Sequence, residues 1–480
     1  MIIPNKSLQK VHSRLFSTAA VYGLSDVAVL AVGGFLLIPL YTHSLSQTEF
    51  GQYVAVRANI DIGTYILQLG LPSAVARIYF DRKRSGEEGA YLSGIISFFL
   101  LFAAFVTAVT FVFGTWIWKT LSPAVPAVPA LWLTLAIAIA GGLGSLAIVW
   151  LRSEHRVATV VAVQLCAAVI LAVTAAILLI NMDRGLSGIL VALLVSSMLP
   201  VFALVLLFGR QFRFAMRLKD IVETLHYALP ILVGYLAYFT LNRSGMLMLQ
   251  RHVSVEELAI FGLAQQLSMI AALACSSFGA ALQPAVFGAE PQEVNKLLVK
   301  AALQLTLIML AVSSALMLFA GELLDLVAPE IYAGSALLML VLVGANFTIT
   351  FSLLADTVLL YHFRPKTSVL ISIGSAIVAA GLGWLLIPTW YAEGAAISVA
   401  IGLGFRMVIS QWVAWHVSGH SQFGLAISAL SVILLVGIAA SVLREMSIQL
   451  VIMIPLKLAA CAVAVGVFYL IQRRFFSIYV

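Results

Sequence analysis

Charge is scarce in this 480-residue sequence. Lys, Arg, Asp and Glu make up 10% of it, hydrophobic residues 62%, and the mean hydropathy is +1.08. A soluble domain carries about 25% charged residues, so a globule surrounded by water is excluded and lipid must be most of the solvent. Cysteine is nearly absent. Cys166, Cys275 and Cys461 all fall in apolar stretches, where the residue behaves as a small hydrophobe, and they offer neither a disulfide framework nor a C-x-x-C pair. The sequence also lacks G-x-x-x-x-G-K-[ST] and H-E-x-x-H, and its eight histidines are scattered. ATP hydrolysis and metal chemistry within the chain are therefore not expected, nor is a cofactor. No polar stretch is long enough for a separate soluble domain.

What remains is a succession of apolar runs between short polar clusters. At about 20 residues per bilayer crossing, they divide into fourteen expected spans. These lie near 16–41, 50–76, 91–118, 125–151, 158–180, 186–208, 222–250, 257–285, 297–321, 333–361, 367–387, 394–415, 423–443 and 448–471. The fold class is all-α and polytopic. The net charge of +7 would suggest nucleic acid in a soluble protein, but in a membrane protein basic residues report orientation first, so nucleic acid is not an expected partner. With the N-terminus inside, 19 of the 27 Lys and Arg residues fall on the inner side. That asymmetry supports an even span count and cytoplasmic termini. The first apolar run is too long for a signal-peptide core, and no A-x-A-like site follows it, so it reads as a retained span.

Polar landmarks recur with a displacement of 208 residues: Ser46 with Ser254, Glu49 with Glu257, Tyr53 with Phe261, and Arg156 with Arg364. Apolar matches would carry no weight in this composition, but these fall at corresponding places, and six spans separate the copies. Pro72 and Pro284 also correspond, displaced by 212. The expected architecture is two pseudo-symmetric six-helix lobes, a transporter arrangement with its site between the repeats. The lobes are 1–215 and 216–418, and 419–480 holds two appended spans.

The order of these landmarks, with Leu45-Ser46-Gln47-Thr48-Glu49-Phe50-Gly51-Gln52-Tyr53, Gly70-Leu71-Pro72-Ser73-Ala74 and Arg77-Ile78-Tyr79, resembles the polysaccharide transport proteins. These include the Wzx-type flippases of the multidrug/oligosaccharidyl-lipid/polysaccharide exporter superfamily. The resemblance covers essentially the whole chain, although the second half departs from it: Ala259 stands where Gly51 would recur, and no Gly-Leu-Pro precedes Pro284. It implies a bacterial inner-membrane transporter, not an enzyme, that moves undecaprenyl-pyrophosphate-linked oligosaccharides between leaflets for surface or exopolysaccharide synthesis. Membrane lipids and a polysaccharide polymerase are the partners it implies. The short outer loops argue against sugar polymerisation or ligation by the chain itself.

Charged residues within the spans are the candidates for function. At about 2.5–3.5 kcal/mol each, Asp26, Arg57, Asp61, Arg243, Asp356, Arg406 and Lys457 represent roughly 20 kcal/mol if exposed to lipid. A shared hydrated cavity relieves that cost. Arg57 and Asp61 are four residues apart and either neutralise each other along one helix face or line the cavity, with Asn59 and Gln68 adding polarity. By the repeat, position 57 corresponds to Gln265. Arg243 lies deep in its span beside Asn242, and a guanidinium suits phosphate because its fork donates parallel hydrogen bonds. Arg406 is a further binding candidate. Asp26 either holds an arginine or accepts a coupling proton, and Asp61 is the other residue for an H⁺ or Na⁺ coupling ion. Asp356 and Lys457 are read as structural, the latter reaching toward the interface or a headgroup. Arg77 joins Arg82, Lys83 and Arg84 in an inner cluster that is either a solvated topology signal or a landing site for an anionic lipid-linked diphosphate.

Alternating access between the lobes is the expected mechanism. The rival readings are a cation or drug antiporter of the same superfamily, which calls for an acidic cavity, and a peptidoglycan-precursor flippase, which shares the anionic lipid carrier. A non-transport scaffold gives no reason for buried charge in both halves. Gly141, Gly142 and Gly144, and Gly381 with Gly383, read as close helix packing.

Overall fold

A chain immersed in lipid must satisfy its backbone polar groups within itself, and helices do this residue by residue. The computed structural model describes residues 35–214, 216–287, 291–419, 422–445 and 450–476, and among them every regular element is helical. Asp26 and most of the first expected span lie outside the described residues. Ten helices among those described are long and apolar enough to cross a membrane, so the protein is a multi-pass membrane protein.

The described residues form two compact units, one of 35–239 with Ser254–Ala259 and the other of Thr240–Val253 with 260 onward. The first contains α1 (Ile38–Ser44), α2 (Gln47–Gln68), α3 (Leu71–Arg84), α4 (Glu88–Leu121), α5 (Ala127–Ser153), α6 (Val157–Ala176), α7 (Gly185–Phe208) and the part of α8 (Leu218–Leu249) up to Phe239. Within it α5 is central, packed against α2, α3, α4 and α7, with α6 on α7. Small residues allow that approach. A Cβ on Gly142 would stand 2.8 Å from the Phe99 ring, and one on Gly144 would stand 3.3 Å from Pro200.

The second unit takes the rest of α8, nearly all of α9 (Val255–Phe287), then α10 (Pro291–Leu318), α11 (Ala320–Val327), α12 (Ser335–Phe347), α13 (Ile349–Tyr361), α14 (Pro365–Ser418), α15 (Phe423–Glu445) and α16 (Leu450–Phe476). There α14 packs on α12 and α13, and α10 on α12, α15 and α16. A Cβ on Gly383 would meet Met248 at 3.2 Å, but Gly381 faces open space, so only one of that expected packing pair packs.

One expected span has a different form, and two others are joined end to end. The run near 50–76 is two helices, because Leu69 (φ 47°) and Gly70 (φ 74°) both take the left-handed conformation and Pro72 opens α3. Glycine suits that turn twice over, since a Cβ there would also lie 2.4 Å from the Ala228 carbonyl oxygen. The runs near 367–387 and 394–415 join in α14, whose 54 residues span about 80 Å at 1.5 Å each. That greatly exceeds the roughly 30 Å of a hydrocarbon core. The helix breaks at Tyr391 (φ 44°, ψ −121°), which divides it into two segments of crossing length.

The 208-residue displacement recurs in backbone features. Ser46 and Ser254 both accept a hydrogen bond from the amide three residues on, at 3.2 Å in each case. After α5, His155 turns left-handed (φ 55°) and Arg156 N–H returns to Leu151 O at 3.0 Å. After α13, Phe363 does the same (φ 57°) and Arg364 N–H returns to Leu359 O at 2.8 Å. Asp183 (φ 48°) and Tyr391 (φ 44°) continue the series. At His155, Asp183 and Phe363 the positive-φ residue lets an orphan carbonyl find a donor, and at Tyr391 it kinks α14. The copy is imperfect where the sequence is: α9 runs unbroken through 277–278, the positions equivalent to Leu69 and Gly70.

Candidate functional site

In the first unit α2 places Arg57, Asp61 and Thr64 on one face, as residues three and four apart must be. That face borders a cavity of about 300 Å³, with Gly141 of α5 and Ser196 and Ser197 of α7 on the other walls. Gly141 faces Thr64 across this space, and a side chain there would stand 3.5 Å from the Thr64 methyl. Arg57 meets Asp61 through Nε, at 3.3 Å, and its side chain stays 42% exposed. Thr64, Ser196 and Ser197 each donate their hydroxyl to a main-chain carbonyl, at 2.7, 2.8 and 2.9 Å, which turns oxygen lone pairs outward. Tyr65 completes the rim and is stacked on Tyr235, with Phe239 edge-on. Sequence reasoning missed Tyr65, because nothing separates one aromatic from its neighbours in an apolar span.

The second unit holds two other expected arginines. Arg243 Nη1 donates to Gln265 Oε1 at 3.0 Å, and Gln265 Nε2 donates to the Asn242 carbonyl at 2.7 Å, so the residue equivalent to Arg57 in the repeat positions Arg243. One helical turn on, Asn346 donates to the Ser268 carbonyl. Arg406 pairs with Asp356 at 2.7 Å, side chains 11% and 16% exposed, and Ser368 donates to the same carboxylate at 2.7 Å. The structural reading of Asp356 therefore acquires a specific partner.

Asn59 points to another face of α2, donating to Ser122 at 2.7 Å in a buried contact. Arg77 is exposed and pairs with Asp81 on its own helix at 3.0 Å. The neighbouring cations are engaged elsewhere: Arg82 bridges Asp220 (2.9 Å) and Glu223 (2.6 Å) of α8, while Lys83 and the Tyr79 hydroxyl share Glu154. Lys457 departs from expectation. It is buried against Glu322 of α11, over the Phe319 ring, so a carboxylate of this chain is its partner in place of a lipid headgroup. Glu322 lies just past the ninth expected span, and no spacing in the sequence connects it with residue 457.

Residues 19–290 match the family model described as polysaccharide biosynthesis protein. The chain belongs to this family. Its fold is shared with solved transporters at low sequence identity. A lipid II flippase MurJ in an inward closed conformation superposes with a TM-score of 0.71 at 12% identity, covering 96% of this chain and 99% of that one. An outward-facing multidrug resistance MATE family transporter of the MOP superfamily gives 0.59 at 16%, covering 87% and 96%. The Vibrio cholerae MATE transporter VcmN, solved as a point mutant, gives 0.57 at 16%, covering 86% and 97%. No curated protein sequence matches. The polysaccharide biosynthesis family thus adopts here the fold of flippases and exporters.

Proposed function

We propose that this member of the polysaccharide biosynthesis family is a flippase for undecaprenyl-pyrophosphate-linked oligosaccharide repeat units in a bacterial inner membrane. The chain would cross fourteen times, as lobes 1–215 and 216–418 with 419–480 appended, and both termini would be cytoplasmic. The observation that carries the reading is the half-exposed Arg57 guanidinium on the wall of a cavity inside an otherwise apolar bundle. A charge at that depth costs several kcal/mol unless it has water or a ligand, and diphosphate is the ligand a fork of donors fits best. Arg243, oriented by Gln265, is the second contact; Arg406 and Arg77 are weaker ones. A headgroup with about two negative charges gains roughly 4.6 kcal/mol on leaving an inside-negative cell at 100 mV, at about 2.3 kcal/mol per charge. The potential therefore favours export, and a proton or sodium ion acting at Asp26 or Asp61 would reset the carrier. A polysaccharide polymerase would consume the product.

Arg57→Ala and Arg243→Ala are expected to insert and fold normally yet leave cells without surface polysaccharide. Normal polymer at equal protein level in both variants would overturn the assignment. The cation-antiport reading predicts instead that the protein confers resistance to cationic dyes and that Asp61→Asn removes it.

A further inference from the structure

Between α7 and α8 the chain reads Gly-Arg-Gln-Phe-Arg-Phe-Ala-Met-Arg-Leu-Lys over 209–219, with cations interleaved among bulky apolar residues. The connection is fastened to the first unit at two points. Arg213 N–H donates to the buried Ser93 hydroxyl at 3.4 Å, and Arg217 Nη1 donates to Glu87 at 2.8 Å. What these fastenings leave outward is unusual for a solvated loop: Phe214 is 63% exposed, Met216 45% and Leu218 76%. The apolar surface continues along α8 through Val222, Leu229 and Val233, all exposed. These lie four, eleven and fifteen residues beyond Leu218 and so share its face. The opposite face of α8 is buried through Asp220, Thr224 and Ala228.

Charge distribution separates this segment from the other basic cluster at the same unit. Arg82 and Lys83 are held in ion pairs with Asp220, Glu223 and Glu154, and Arg77 and Arg84 face Asp81. Among the described residues Arg210, Arg213 and Lys219 form no ion pair, and all three are exposed. Three cations outside any close ion pair, of which Lys219 acts on Glu87 only at longer range, beside an apolar strip that runs into a membrane-length helix, match one environment: the boundary between acidic headgroups and acyl chains.

We propose that residues 209–214 and 216–219 form a docking strap for an anionic lipid leaflet. Phe214, Met216 and Leu218 enter the headgroup–acyl boundary, and Arg210, Arg213 and Lys219 bind the phosphates of acidic headgroups. The strap holds the inner end of α8 to the bilayer surface independently of any transported substrate.

The test uses the full-length protein in neutral detergent, titrated with fluorescent phosphatidylglycerol and, as reference, phosphatidylcholine. Wild-type protein is expected to prefer phosphatidylglycerol, and raising salt from about 0.05 to about 0.5 M is expected to remove most of that preference. The triple variant Arg210→Gln, Arg213→Gln, Lys219→Gln should lose at least about tenfold of it, since each cation near an acidic surface contributes about fivefold. Phe214→Ser with Leu218→Ser should weaken both lipids alike, and Arg84→Gln should change neither. A wild-type preference insensitive to salt would overturn the proposal without reference to any variant. So would a triple variant, unfolding at the wild-type temperature in phosphatidylcholine micelles, that keeps its preference within about twofold.

Discussion

Single residues show how far physical chemistry confined to one position reaches. Gly70 combines a left-handed backbone with a carbonyl where a side chain would begin. Gly70→Ala is therefore expected to lower stability by about 2–3 kcal/mol, combining backbone strain and overpacking, read as a drop in thermal midpoint in detergent. The buried Lys457–Glu322 pair gives a sharper case. Removing one partner of a buried ion pair strands the other charge and costs about 3–5 kcal/mol, whereas replacing both with apolar residues is often neutral. Lys457→Met alone should destabilise strongly, and Lys457→Met with Glu322→Leu should recover most of the loss. A double variant no more stable than the single would show that the pair does not act as a unit. Arg57 and Asp61 were legible as a pair because their spacing is local. Lys457 was not, since its partner is 135 residues away and separate helices bring the two together.

At the scale of elements, the ends of helices carry most of the information. The loop after α5 is fixed by Glu154, which accepts from Lys83 and from the Tyr79 hydroxyl of α3. Burial works to raise the Glu154 carboxyl, but the hydrogen bonds from Lys83 and Tyr79 outweigh it and hold the group below the ordinary glutamate range. A carboxyl depressed in the folded state adds stability above its unfolded pKa, and that contribution is lost as pH falls through the folded value. Unfolding temperature should therefore decline below about pH 4.3, the unfolded glutamate pKa, and Glu154→Gln should flatten that part of the profile while lowering stability near neutrality. An unaltered acid limb would remove Glu154 from this role. Helix boundaries followed the apolar runs closely wherever polar clusters punctuate them. They failed at 69–70, where a backbone turn interrupts an apolar run, and held at 391, where the break falls between the two expected spans: hydropathy measures the surrounding solvent, not φ.

For the molecule as a whole, the internal repeat is a prediction about sidedness. His155 and Phe363 occupy equivalent stops, and Asp183 and Tyr391 equivalent positions. Single-cysteine substitutions at His155 and Phe363 should be labelled by an impermeant thiol reagent from the cytoplasmic side only, and those at Asp183 and Tyr391 from the opposite side only, in a protein whose three native cysteines have been replaced. Labelling of 155 and 363 from opposite sides would break the parallel repeat. Lipid immersion, helical class, the repeat and the family likeness were all contained in the sequence, because each depends on composition or on spacing along one chain. Tertiary structure alone decided which charges meet. Arg406 is held by Asp356, Arg82 by α8 and Lys457 by Glu322, and α2, α5 and α7 line a cavity beside Arg57. Partner choice in a nearly uniform apolar sequence depends on helix rotation and packing distance, and no local pattern of residues encodes either.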